Sequence, residues 1–174
     1  MIEPFEKWAI DFLGPRNPTS LIKKHILFFT DFVTKWVDFC CFFCYWKSRC
    51  WFIFTEIFTR FGVPREIVSD NGPHFISNLV QGVMEQYKIW HRKSTPYHPQ
   101  ANGQVESTNK VIESILIKTI NMHQKDWVER LPKALWAYRT TWRNSTGHTP
   151  YELVYGKQVM LPIEFQTKTF RTAV

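Results

Sequence analysis

The chain has 174 residues, 44% of them hydrophobic and 21% charged, and its 22 Lys and Arg against 15 Asp and Glu give a formal charge of +7. That length suits one domain around a single core, and the composition is that of a globular chain, which excludes disorder over most of the length. No run long enough to span a membrane occurs, and Met1-Ile2-Glu3-Pro4-Phe5-Glu6-Lys7 lacks the basic-then-apolar order of a secretion signal, so a soluble intracellular protein is expected, with nucleic acid first among its polyanionic partners.

Trp8-Ala9-Ile10-Asp11-Phe12-Leu13 is an apolar run of strand length, interrupted by one acid and stopped by Gly14-Pro15. A carboxylate inside a buried strand is costly unless something pairs with it, so Asp11 is either bonded to a loop backbone or held for chemistry. Residues 16–24 are polar and read as a hairpin loop. His25-Ile26-Leu27-Phe28-Phe29-Thr30 and Trp36-Val37-Asp38-Phe39-Cys40-Cys41-Phe42-Phe43 are two further strands around a turn, which predicts an antiparallel meander. Cys40, Cys41, Cys44 and Cys50 raise the question of zinc, but zinc sites present spaced pairs carried on turns. These four sit among aromatic residues and read as buried, reduced thiols. Trp51, Phe54, Ile57, Phe58 and Phe61 then recur at helical spacing before Gly62 and Pro64, which predicts a core-facing helix.

Glu66-Ile67-Val68-Ser69-Asp70 is a short strand following a helix, the order of a parallel crossover. Asp70 stands at its C-terminal end, where open α/β sheets bind ligands, although Asp70-Asn71-Gly72 read alone is first of all a turn. Phe75, Leu79, Val80 and Val83 mark a second helix, and Ile89-Trp90-His91 a brief strand. Residues 93–103, with Pro96, Pro99 and Gly103, are expected to form a loop that can move. In the long helix that follows, Val105, Ile112, Ile115, Leu116 and Ile120 face the core, and Glu106, Asn109, Lys110 and Glu113 line a polar face. Glu106 in the first turn suits the helix dipole and pairs well with Lys110 four residues on, so a solvated face accounts for it as readily as a site does.

Asp126-Trp127 opens another helical segment with Leu131, Leu135 and Tyr138 on its apolar face, and Pro132 is expected to kink or restart it. Thr149-Pro150-Tyr151-Glu152-Leu153-Val154-Tyr155-Gly156 carries an N-cap, a Pro at the first helical position and a closing Gly, and reads as one short helix. Residues 157–174 read as an extended arm or linker.

Asp11, Asp70 and Glu106 are separated by 58 and 35 residues and come from a strand, a strand end and a helix. Sequence-distant carboxylates on adjacent elements can converge at one edge of a sheet. Two magnesium ions held there, about 3.5–4 Å apart, would activate a water or hydroxyl and stabilise the leaving oxygen of an in-line displacement at phosphorus. Carboxylates suit this metal because it is hard, keeps waters and takes few protein ligands.

The order Asp11, Asp70, Glu106 with 35 residues between the last two, together with His98-Pro99-Gln100-Ala101-Asn102-Gly103-Gln104-Val105-Glu106, resembles the DD35E signature of retroviral and retrotransposon integrases. The likeness extends through Phe5-Glu6-Lys7-Trp8-Ala9-Ile10-Asp11-Phe12-Leu13-Gly14-Pro15, Thr30-Asp31-Phe32-Val33-Thr34-Lys35-Trp36-Val37, Phe58 to Asp70, Thr95 to Asn109 and Leu131-Pro132-Lys133-Ala134-Leu135-Trp136-Ala137-Tyr138-Arg139-Thr140-Thr141, and the chain closely resembles the Ty3/gypsy-type integrase core of plant elements. The resemblance implies an α/β, ribonuclease H-like fold, a five-stranded mixed sheet flanked by helices, over residues 1–143, with residues 144–174 as a short helix and C-terminal extension. It implies a metal-dependent transferase that joins element DNA 3′ ends to a target duplex, with optional trimming by water. Asp11, Asp70 and Glu106 would be the catalytic residues and would hold two Mg²⁺ or Mn²⁺ ions; Tyr97, Gln100, Asn102 and Lys110 would meet DNA. A homo-oligomer acting in the nucleus is further implied. A related transposase or nuclease, and an inactive DNA-binding or oligomerisation remnant, are the rival readings.

Residues 38–54 depart from the family, whose strand and helix start there are rich in Ala, Thr and Glu; no acid occurs from Phe39 to Thr55. Compensating frameshifts in a decaying genomic copy would produce this pattern. Overpacking typically costs about 1–3 kcal/mol, so the expected consequence is a weaker fold rather than a lost site. The zinc-binding and DNA-binding domains that flank this core in the family are not among these residues, so a fragment is expected.

Overall fold

The computed structural model of the chain describes residues 2–42, 52–70, 72, 78–93, 99–120 and 125–160. Strand β1 (Lys7–Leu13) pairs antiparallel with β2 (His25–Asp31), and β2 antiparallel with β3 (Val37–Phe42), which is the predicted meander. Parallel pairing then joins β1 to β4 (Glu66–Ser69) and β4 to β5 (Trp90–Lys93). The result is a five-stranded mixed sheet in the order β3-β2-β1-β4-β5.

Alternation along the strands divides the core into two layers. Trp8, Ile10, Leu27, Phe29 and Ile67 face one side, where they meet Ile53, Ile57 and Phe58 of helix α1 (Ile53–Phe58 continued by Thr59–Phe61) and Val80 and Met84 of α2 (Asn78–Gln86). Ile26, Phe28 and Val37 face the other, packed by Ile112 and Leu116 of α3 (Pro99–Thr119) and by Trp127, Leu131, Ala134, Leu135 and Tyr138 of α4 (Trp127–Thr140). Strand β2 is covered on both faces: Ile26, Leu27, Phe28 and Phe29 are each at most 2% exposed. Burial on that scale contributes roughly 1.5–3 kcal/mol per side chain.

Helix α1 differs from the expectation in its face. Its residues Ile53–Phe58 form a π-helical stretch that continues as an α-helix over Thr59–Phe61. The wider turn closes hydrogen bonds five residues apart and rotates the side chains, so Ile53 is buried while Phe54, expected in the core, is 38% exposed. Helix α3 starts earlier than expected, at Pro99, where proline's missing N–H costs nothing; residues 94–98 of the expected mobile loop lie outside the described residues. Helix α4 runs through Pro132 without restarting. The lost hydrogen bond there costs about 3 kcal/mol or more, against the complete burial of its neighbours Leu131, Ala134 and Leu135.

The last described helix, α5 (Pro150–Tyr155), has the predicted ends. Glu152 N donates to Thr149 Oγ1 at 3.1 Å and Thr149 N to Glu152 Oε2 at 2.8 Å, and Gly156 closes the helix with φ 66°. Its Tyr151 ring meets Trp136 of α4, and its Tyr155 ring meets Trp36. Of the expected C-terminal arm, residues 161–174 lie outside the described residues.

Two buried acids hold the sheet. Asp31 is fully buried and accepts from Phe5 N at 2.9 Å on Oδ1, and from Thr34 N and Thr34 Oγ1, both at 2.7 Å, on Oδ2. Burial raises its pKa above the ordinary value, against the pull of those hydrogen bonds. Asp38 accepts from Trp36 Nε1, Arg60 Nη1 and Arg139 Nη2 at 2.9, 3.1 and 2.5 Å, and Arg139 Nε also donates to Val37 O at 3.0 Å, tying α4 to β3. The departing segment is thus accommodated as far as Cys41: β3 keeps complete register with β2. Cys40 and Cys41 are half-buried, and burial pushes the Cys41 thiol up to about 12. Cys44 and Cys50 lie outside the described residues. No described helix is long and apolar enough to cross a membrane.

Candidate active site

Strands β1 and β4 run side by side with Ile10 opposite Ser69. One further step along both chains places Asp11 beside Asp70, which follows the last residue of β4. Because successive residues of a strand face opposite ways, Asp11 leaves the side of Trp8 and Ile10 for the side that α3 covers. Helix α3 reaches it there: Asn109 Nδ2 donates to Asp11 Oδ2 at 2.5 Å, across 98 residues of sequence, while Phe12 N donates to Oδ1 at 2.8 Å.

The polar face expected on α3 is therefore not wholly solvated. Asn109 is 5% exposed, and Glu113 accepts from Arg16 Nη1 at 3.0 Å. Sequence reasoning placed Asn109 beside Glu106 without giving it a role; the available signal was its position three residues after Glu106, which sets the two on one helix face. Glu106 itself lies on α3 a turn nearer the helix start, with its side chain outside the described residues, so the Glu106–Lys110 pair lies outside them as well.

Asp70 is exposed, and its Oδ1 accepts from Gly72 N at 2.9 Å. Asp70 thus stands just past the strand end with its carboxylate on the Gly72 N–H, and Asn71 lies outside the described residues. A Cβ on Gly72 would stand 2.9 Å from that same carboxylate oxygen, so a side chain there would displace the Asp70 carboxylate from this position. Ser69, 1% exposed, donates from Oγ to Asp70 O at 2.9 Å and lies 2.8 Å from His91 Nε2 on β5. Burial, and then the Lys93 ammonium, lower the pKa of His91 and favour a neutral ring. Nothing in the sequence pointed to the Ser69–His91 contact.

Among the described residues no three His, Cys, Asp or Glu side chains form a metal-holding group, the Glu106 carboxylate lying outside them. The donors that are described fit a hard cation: Asp11 and Asp70 offer carboxylate oxygens from adjacent strands. Asn109 Oδ1 is buried with no hydrogen-bond partner among the described residues, an orphaned acceptor one bond from Asp11. Of the residues expected to meet DNA, Lys110 is exposed on α3; Gln100 and Asn102 have their backbone in the first turns of α3 and their side chains outside the described residues, as is all of Tyr97.

Residues 2–99, more than half of the chain, match the family described as integrase core domain. The chain is 37% identical over 157 residues to the Gag-Pol polyprotein of gibbon ape leukemia virus and 38% identical over 157 residues to the Pol polyprotein of feline endogenous virus ECE1, with 86% of this chain covered in each case. It spans only 9% and 14% of the lengths of those polyproteins. Among solved structures it is similar to a chain of the simian T-cell lymphotropic virus intasome in complex with the PP2A regulatory subunit B56 gamma (TM-score 0.71, 21% identity, 91% of this chain and 57% of that one). It is also similar to the HTLV-2 integrase catalytic core domain in complex with magnesium (TM-score 0.66, 22% identity, 87% of this chain and 97% of that one). These likenesses fix the fold as ribonuclease H-like, as the resemblance implied. The chain belongs to the integrase core domain family, as a core of the retroviral type.

Proposed function

We propose that this chain is the catalytic core of a DD35E-type polynucleotidyl transferase that joins retroelement DNA 3′ ends to a target duplex. The observation that carries the reading is the neighbouring placement of Asp11, one residue past the Ile10–Ser69 pair on β1, and Asp70, one residue past it after β4, with α3, the helix of Glu106, bonded to Asp11 through Asn109. Asp11, Asp70 and Glu106 would hold Mg²⁺ or Mn²⁺. Bound there, the metal supplies charge neutralisation and Lewis acidity at a phosphodiester. Asn109 orients the Asp11 carboxylate by donating to Oδ2, and the Gly72 N–H orients that of Asp70 by donating to Oδ1. Lys110, exposed one residue beyond Asn109, offers a cation to DNA phosphate, and Tyr97, Gln100 and Asn102 precede Glu106 as further DNA contacts.

The finer affiliation, a Ty3/gypsy-type element of a plant, rests on the resemblance through Phe5–Pro15, Thr30–Val37, Phe58–Asp70, Thr95–Asn109 and Leu131–Thr141. Residues 1–143 carry the chemistry in this reading and residues 144–174 extend it. The HTLV-2 core has been solved in trimeric and dimeric forms, which supports a homo-oligomer here. The nucleus, where target duplex resides, is the place of action.

The test is resolution of a branched integration-product duplex by the purified chain under Mg²⁺ and Mn²⁺ titration. Metal-dependent resolution is expected, and its loss in Glu106→Gln. Equal activity in that variant would remove the catalytic assignment, and metal-independent duplex binding without turnover in wild type would favour the inactive remnant.

A further inference from the structure

Asp70 is an exposed residue at the end of a short strand, so packing does not set the direction of its carboxylate. Hydrogen bonds must do so, and one on the side chain, from Gly72 N, is already described. The other acts on the backbone. Ser69 Oγ stands between Asp70 O at 2.9 Å and His91 Nε2 at 2.8 Å. A hydroxyl has one proton, and the carbonyl can only accept; the proton therefore goes to Asp70 O, and the ring nitrogen must be the donor to Ser69. The order is His91 Nε2–H to Ser69 Oγ–H to Asp70 C=O.

The sheet explains why this relay is rigid. His91 lies opposite Ile67 on β5 and Ser69 two residues further along β4, so the two side chains share a face as diagonal neighbours. Ser69 is buried and His91 half-buried, and both side chains of the relay belong to paired strands. The lowered pKa of His91 agrees with a neutral ring acting as a single-proton donor.

We infer that His91 is a positioning residue for the candidate site: through Ser69 it fixes the Asp70 peptide, and with it the direction in which the Asp70 carboxylate is presented. The inference rests on the reading of Asp70 as a metal ligand for its functional meaning, and on hydrogen-bond geometry alone for its structural one.

The experiment compares His91→Leu, Ser69→Ala, His91→Gln and the packing control Ile89→Val in the full chain. Two readouts are taken: amide hydrogen exchange of Gly72 by NMR without metal, and Mn²⁺ binding by calorimetry. Gln presents an amide donor at nearly the reach of Nε2, whereas Leu presents none. His91→Leu and Ser69→Ala are expected to speed Gly72 exchange by about tenfold, the scale of one lost hydrogen bond. They should also weaken Mn²⁺ binding by about 10–100-fold, as loss of a ligand's supporting partner does. His91→Gln should restore both readouts to near the wild-type values, and Ile89→Val should move neither. Unchanged Gly72 exchange in Ser69→Ala would overturn the inference even if His91→Leu fails to fold, and so would an equal change in Ile89→Val. If wild type binds no Mn²⁺, the metal reading fails while Gly72 exchange still decides the positioning role.

Discussion

The two ends of the β1–β2 pair carry the same side chain in opposite circumstances. At one end Asp31, opposite Trp8, is fully buried and takes its hydrogen bonds chiefly from its own turn, from Val33 and Thr34, with one from Phe5. Toward the other end Asp11 is half-buried, and the side-chain donor that reaches it comes from a helix 98 residues away. An acid enclosed by local backbone donors is a structural latch. An acid held from a distance, beside another acid just past a strand end, is the one that the proposed function assigns to chemistry, so in that reading the difference separates stability from chemistry within one sheet.

Exchange of acid for amide at each end would break or sharpen that comparison. Asp11→Asn is expected to have the largest effect on activity, a loss exceeding the about 10–100-fold that follows removal of a ligand's supporting partner, with stability changed by less than about 1 kcal/mol; kinetics on branched DNA and denaturant melts read the two. A stability loss without an activity loss would put Asp11 in the class of Asp31. Asp31→Asn is expected to do the reverse, lowering stability by about 1–3 kcal/mol because an amide N–H₂ then faces a backbone donor, and leaving the activity of the folded fraction intact. The smallest effect is in pH. Asp31 has a folded pKa above its ordinary 3.8, so the native state holds the proton more tightly than the unfolded chain. Its stabilising contribution is therefore complete below 3.8 and is lost as pH rises through the raised folded value. The stability gap between wild type and Asp31→Asn should accordingly narrow as pH rises from 3.8 through the raised folded value, and a widening gap would contradict the burial account.

What the sequence disclosed follows the range of the forces involved. The meander, the crossover strand ending at Asp70 and the capped helix over Pro150–Tyr155 depend on local alternation, turn residues and caps, and all are visible in short windows. The exposed face of Phe54 and the unbroken helix through Pro132 were not visible, because a π-helical turn and the burial around Leu131 are decided by tertiary packing. The candidate site divides in the same way. Asp11, Asp70 and Glu106 were singled out through spacing and family resemblance, which carry long-range information that local pattern lacks. Asn109 looked solvated because helical periodicity cannot show that a strand 98 residues earlier presents a carboxylate to it. Ser69 and His91, on adjacent strands 22 residues apart, gave no local sign at all.

Strand β2, apolar on both faces, carries a consequence for how reliably the sheet assembles. A slip of one residue would exchange Ile26 and Phe28 with Leu27 and Phe29, and either arrangement buries nearly the same hydrocarbon. Oiliness cannot choose between them. The choice falls to groups that make their bonds in one alignment only: Asp31 at the end of β2, and Asp38 with Arg139 fastening β3 to α4. Polar latches that touch no substrate thus act as proofreaders of strand register. With them weakened, the chain would still collapse into a dense sheet, one in which the strand carrying Asp11 meets a misaligned neighbour.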